Sequence, residues 1–121
     1  MLRIEHELTA LKLLSPHKNV IKYIESMHGR DHIYIVTEIL PLDLFDFIES
    51  NHAKLNENII AVITREIACA LVHLHNHNIC HLDIKPENLL LGKCSRLIYG
   101  SNFLYLLYST ESQVFKVVHC K

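Results

Sequence analysis

The longest apolar pattern in the chain lies between Asn56 and Asn76, where Ile59, Ile60, Ile63, Ile67, Ala70, Leu71 and Leu74 recur at helical spacing. So broad a stripe has to be buried against other elements along one whole side of the helix. Asn56 is placed to cap the start. Asn76-His77-Asn78 supplies the stop, because asparagine tolerates the left-handed conformation that follows a helix end. Directly behind the stop comes His81-Leu82-Asp83-Ile84-Lys85-Pro86-Glu87-Asn88, and then Leu89-Leu90-Leu91. Any fold of this chain must hang a charged loop from the end of a buried helix.

Upstream, Ile4, Leu8, Leu11 and Leu14 also recur at helical spacing, with Glu5, Glu7 and Lys12 between them. This amphipathic helix stops at Ser15-Pro16, since the residue before proline is pushed out of the α region. Val20 to Met27 and Ile33 to Thr37 are rich in β-branched and aromatic residues and flank His28-Gly29-Arg30-Asp31, which reads as a β-hairpin. Pro41 and Asp43 open a short helix, Leu44 to Glu49, with Asp43 as its cap. From Gly92 onward no period and no capping pattern is legible. The order helix, hairpin, helix, long helix, polar loop is of α+β type. A chain of 121 residues is expected to form one small domain at most.

Net charge is −1, with 12 lysines and arginines against 13 aspartates and glutamates. No basic run points to nucleic acid or anionic lipid, so neither is an expected partner. The apolar run near the end, Leu97 to Tyr108, is interrupted by Gly100, Ser101 and Asn102 and falls short of the roughly 20 residues that a membrane span needs. The amino terminus lacks the apolar block of a signal peptide, and Cys69, Cys80, Cys94 and Cys120 form no C-x-x-C pair. Reduced thiols in an intracellular protein, cytoplasmic or nuclear, are expected. Among the ten histidines, His73, His75 and His77 with Cys80 and His81 invite a metal reading. Helix positions two apart point to different sides, however, so these histidines cannot converge, and Cys80 is expected in the core. Helix-surface and loop histidines are the better reading.

The polar loop puts a carboxylate, an ammonium and an amide between apolar anchors, and Pro86 stiffens it. Such groups are commonly just solvated turn residues. Together they are also what phosphoryl transfer to a hydroxyl needs: a carboxylate to orient the hydroxyl and take its proton, a cation for the phosphoryl charge, and an oxygen ligand for magnesium. The pattern H-x-D-x-K-P-E-N followed by three apolar residues resembles the catalytic loop of eukaryotic-type serine/threonine protein kinases. The resemblance extends from Ile4 to Leu91, with every element in that family's order, and implies a partial kinase fold over residues 1–91: helix C, the small-lobe hairpin, the hinge and the first helices of the large lobe.

Position by position, the resemblance implies Asp83 as catalytic base, Lys85 as the lysine that supports the γ-phosphate, Asn88 as magnesium ligand and His81 as the loop's structural histidine. Glu7 resembles the helix-C glutamate, although a glutamate there can equally be an exposed helix charge. Thr37 resembles the gatekeeper. Glu38, Ile39 and Leu40 resemble the hinge whose backbone meets adenine; Asp43 falls at the ribose position and Leu90 at the apolar floor under the base. Leu11, Tyr23 and His81 match members of the apolar column that aligns the two lobes. The implied cofactors are ATP and Mg2+, and the implied partner is a protein with a serine or threonine hydroxyl; the oligomeric state is not written in the sequence.

Departures from the family pattern are also legible. Leu82 stands where an arginine is usual, which resembles kinases not governed by activation-loop phosphate; Asp43-Leu44-Phe45-Asp46-Phe47-Ile48 has a calcium/calmodulin-dependent flavour. Met1 begins inside or just before the first helix, with no glycine-rich loop ahead of it. Where Asp-Phe-Gly is expected, the chain reads Gly100-Ser101-Asn102-Phe103-Leu104. Losing one transition-state electrostatic contact typically costs about 3 kcal/mol, so several missing together leave the isolated chain without expected turnover. A catalytically inactive kinase-like binding or scaffold fragment is the alternative. Residues 92–121 are an unassigned tail. Gly92-Lys93-Cys94 can be encoded by GGT-AAG-TGT, which contains the intron-start consensus GTAAGT, so the tail is expected to be translated intron or another gene-model artefact, with upstream exons missing too. The long helix's stripe expects further partners, and the chain alone is expected to be a poor compact unit.

Overall fold

A computed structural model of the chain describes residues 2–40, 42–91, 104–106 and 115–119. Helix α1 (Leu2–Leu14) leads into a hairpin of β1 (Tyr23–His28) and β2 (Ile33–Glu38). The two-residue strand β3 (Leu42–Asp43) is followed by α2 (Leu44–Asn51), a 3-10 turn at His52–Lys54 and the long helix α3 (Glu57–Asn76). A second 3-10 turn, Pro86–Asn88, precedes β4 (Leu89–Leu91), β5 (Leu104–Leu106) and β6 (Phe115–His119). The expected α+β order is present.

The local reasons for these elements match the residues that bound them. At the end of α1, Ser15 N–H still reaches Leu11 O at 2.9 Å, but Pro16 prevents a further turn, and the Ser15 hydroxyl instead accepts from Tyr23 N–H at 2.6 Å. Asp43 Oδ1 accepts from Asp46 N–H at 2.8 Å and starts α2; Asn56 Oδ1 accepts from Ile59 N–H at 3.0 Å and starts α3. Asn78 takes φ 57° just beyond α3, the left-handed residue that closes the helix.

Two sheets result, in the orders β1-β2-β6 and β3-β4-β5. The hairpin pairs Tyr23 with Thr37 and His28 with Ile33, with an irregularity between Tyr23 and Glu25. β6 runs parallel to β2, and β5 runs antiparallel to β4. These two strands correct the reading of everything after Gly92 as patternless. Leu104–Leu106 and Phe115–His119 are too short to show a period of their own, and pairing onto preformed strands defines them. The Asn102-Phe103 echo, Cys94, Cys120 and Pro41 lie outside the described residues.

The core forms two clusters. One gathers Leu14, Val20, Leu44, Ile63, Ala70, Leu74, Leu89 and Leu91, joining α1, α2, α3 and β4. The other gathers Leu8, Leu11, Ile21, Ile33 and Ile35, with Tyr23, Leu40 and Leu90 packed against it. Within α3 the buried residues are Ile63, Glu66, Ala70 and Leu74. Ile60, expected in the stripe, is 51% exposed instead. The buried face runs Ile59-Ile63-Glu66-Ala70-Leu74 in steps of three and four, which leaves Ile60 on its shoulder and puts a carboxylate inside it. Cys80, also expected in the core, is exposed. By length and composition α3 is long and apolar enough to cross a membrane, a test that the core helix of a soluble domain passes equally.

Candidate active site

The loop after α3 is built across a sharp reversal. Leu82 adopts φ 65° and points its side chain outward, 92% exposed. A left-handed leucine costs about 1–2 kcal/mol, so its neighbours must hold it. His81 does this from inside: its buried ring accepts, through Nδ1, the N–H of Asp83 at 3.1 Å. Because Nδ1 accepts, the ring proton sits on Nε2. On the far side, Pro86 begins the 3-10 turn with its fixed φ, and Asn88 N–H closes that turn onto Lys85 O at 2.9 Å.

The side chains of this loop converge. Asn88, buried, donates from Nδ2 to both the main-chain oxygen and the Oδ2 of Asp83, each at 2.9 Å. Lys85 Nζ lies 3.4 Å from the same Oδ2. Lys85 and Asp83 are both nearly half exposed, so the ion pair is screened and worth no more than about 1 kcal/mol. Its importance is directional: ammonium and amide both fix one carboxylate oxygen. Since the Asn88 nitrogen is committed to Asp83, the Asn88 amide oxygen is the atom able to face a cation. Among the described residues no group of three or more His, Cys, Asp or Glu side chains could hold a metal ion. A magnesium ion here would be held by the Asn88 amide oxygen, and such an ion usually keeps waters and phosphate oxygens in its shell.

The remaining sequence-predicted residues divide. Leu40 and Leu90 pack on one cluster with Leu11 and Tyr23, so the proposed adenine hinge and apolar floor share a wall. Thr37 is buried, its hydroxyl 3.3 Å from Glu38 O. Glu38 N–H donates to Lys22 O at 3.0 Å, and the Glu38 carboxylate accepts from Lys22 N–H at 2.7 Å, so β2 is pinned at its end by both. Asp43 spends one carboxylate oxygen capping α2. Glu7 is 3% exposed, which overturns its reading as a surface charge. Leu11 and Tyr23 join one cluster, and His81 is buried under the loop.

A polar joint escaped sequence reasoning. Buried Asn19 donates from Nδ2 to Glu66 Oε2 at 2.7 Å, tying the turn after α1 to the middle of α3, and Lys18 Nζ lies 3.6 Å from the same oxygen. The signal was present: a glutamate three residues after Ile63 and four before Ala70 falls on the buried face of α3, where a charge needs a partner. His73 and His77, considered for a metal, are committed to Leu14 O at 3.2 Å and His73 O at 2.8 Å.

Comparison with known proteins identifies the family. The protein kinase domain family matches residues 2–98, continuing past Leu91. The probable serine/threonine-protein kinase HSL1 of Saccharomyces cerevisiae is 38% identical over 101 residues, covering 83% of this chain and 6% of the relative. The serine/threonine-protein kinase SIK1 of Rattus norvegicus is 41% identical over 90 residues, covering 74% and 11%. A probable myosin light chain kinase of Dictyostelium discoideum is 37% identical over 91 residues, covering 74% and 23%. The chain thus spans less than a quarter of the length of these relatives. With four-fifths of its residues inside the family match and a loop whose carboxylate, ammonium and amide meet at one point, the chain belongs to the protein kinase domain family, of the eukaryotic serine/threonine type.

Proposed function

We propose that these residues serve transfer of the γ-phosphoryl group of ATP to serine or threonine hydroxyls of a protein, in a complete catalytic domain that contains them. One observation carries the reading: Asp83 Oδ2 is held jointly by Asn88 Nδ2 and Lys85 Nζ, so three different functional groups bear on a single spot. Asp83 orients the substrate hydroxyl and accepts its proton at the carboxylate. Lys85 is near enough to that proton acceptor to meet the phosphoryl oxygens. Asn88 offers its amide oxygen to Mg2+, which when bound would neutralise phosphate charge. The Glu38 and Leu40 backbone would meet adenine, Leu90 would lie beneath it, and the free oxygen of Asp43 would face ribose. Glu7, from inside the small lobe, would orient the lysine that contacts the α- and β-phosphates. An intracellular location, where Mg·ATP and protein hydroxyls are both abundant, follows from this reading.

The test is binding with and without metal. A thermal shift on adding ATP should require magnesium, and Asn88→Ala should abolish the magnesium dependence while leaving adenosine binding in place. An ATP shift indifferent to both magnesium and Asn88 would refute the assignment. Asp83→Asn is expected to retain the shift, because it removes the proton acceptor and keeps the loop's hydrogen-bonding shape. In a complete domain the same substitution should lower peptide phosphorylation by about a hundredfold or more.

A further inference from the structure

Three imidazoles are layered where the turn after α1 meets α3. His17 stacks on His73 with ring centroids 4.1 Å apart and planes 21° from parallel, and His77 meets His73 edge-on at 4.6 Å. Their protonation is readable from their partners. A carbonyl can only accept, so His73 carries a proton on Nε2, where it reaches Leu14 O, and His77 carries one on Nδ1, where it reaches His73 O. His17 is the opposite case. Its Nδ1 lies 3.0 Å from the N–H of Asn19 and must accept, so His17 is neutral with its proton on Nε2.

We propose that His17 is the sensor of an acid-sensitive staple that holds the turn between α1 and β1 against α3. Taking up a proton at Nδ1 converts the acceptor that Asn19 N–H reaches into a donor, so the two N–H groups face each other and that hydrogen bond is lost. The same proton puts a positive charge against the His73 ring, whose stacking requires close approach. Asn19 is the residue that also reaches Glu66, so the disturbance lands on the joint between the turn and the long helix.

The surrounding charges favour this sense of response. His73 faces His17 from α3, with His77 behind it at the helix's C-cap, and Lys18 adjoins His17 on the turn. Lys12 from α1, and Lys22, Tyr23 and Glu38 from the hairpin, line the same cleft as His17. Glu66 on α3 is the opposing carboxylate, and it is already engaged by Asn19 and Lys18. Partial burial first, then His73 and Lys18, lower the His17 pKa below its ordinary 6.5, against the smaller upward pull of Glu66. The unfolded chain therefore takes up this proton at higher pH than the folded one. The stabilisation is complete above 6.5 and is lost as pH falls through the folded midpoint.

The proposal does not depend on the kinase reading. The experiment is a pH titration of the histidine ring signals of the full chain by NMR, alongside melting curves between about pH 7.5 and about pH 5.5. Expected results are a His17 midpoint below 6.5 and an Asn19 amide that shifts with the same midpoint. His17→Asn keeps a short side-chain acceptor without a titrating ring and should lose less Tm over that range than the unsubstituted chain. If that variant misfolds, His73→Phe retains a stacked ring and removes the neighbouring charge, and it should raise the His17 midpoint. A His17 midpoint at or above 6.5, or an Asn19 amide indifferent to it, overturns the proposal.

Discussion

Asn88 does two jobs with one amide, and its substitution separates them. Its nitrogen fixes the Asp83 main chain and carboxylate, while its oxygen is left for a cation. Asn88→Ala strips a donor from a buried position, so a stability loss of about 1–3 kcal/mol is expected, read as a lower urea midpoint at unchanged slope. Asn88→Asp should cost at least as much, because a second carboxylate replaces the donor beside Asp83 Oδ2; an Asp variant as stable as the original would mean that the two groups do not touch in solution. At this scale the sequence was informative where the chemistry is contiguous. Asp83, Lys85 and Asn88 lie within six residues, and a stiff turn could hardly separate them. It was silent where partners are distant, as with Asn19 and Glu66, 47 residues apart. It was silent again on Leu82, whose φ is imposed by the loop and goes against leucine's own preference.

At the scale of elements, helix starts were legible because a cap is a local device. Asp43 and Asn56 each accept from the N–H three residues on, and each to alanine should cost about 1 kcal/mol, measurable by denaturant titration. The orientation of α3 was legible only in part. Counting apolar residues placed Ile60 inside, whereas the helix turns slightly to bury Glu66. That choice makes sense once Asn19 is placed opposite it, since the buried carboxylate accepts from the Asn19 amide nitrogen. Glu66→Ala should therefore be among the more damaging changes in α3, by about 1–3 kcal/mol, since it removes the acceptor that a buried amide nitrogen uses. Glu66→Gln, which still accepts from Asn19, should recover a large part of that loss. Equal damage from both would show that the carboxylate's charge, and not its hydrogen bond, holds the joint. The tail strands were illegible for a different reason: β5 and β6 are defined by the strands they pair with, and a five-residue pattern carries no such information.

At the scale of the whole molecule, α3 carries apolar side chains that stand exposed among the described residues. Ile60 and Val72 on α3 are 51% and 59% exposed, and Val62 is 38% exposed. They lie on the shoulders and back of the helix, away from the buried face that meets α1, α2 and β4. Fully burying such a side chain is worth about 1.5–3 kcal/mol, so each leaves roughly half of that unrealised. Relatives that share this segment devote more than three-quarters of their length to other sequence, ample chain to cover it. The isolated chain should consequently bind a hydrophobic dye such as anilinonaphthalene sulfonate and sediment as a mixture of sizes. Because Ile60 and Val72 contribute little to the existing core, the double substitution Ile60→Lys with Val72→Lys should reduce both dye binding and self-association while leaving helical circular dichroism unchanged. Lysine at a truly packed position would instead melt α3. A loss of helicity on that double substitution would mean that both side chains are already covered in solution, and that α3 has found on its own the partners its apolar shoulders call for.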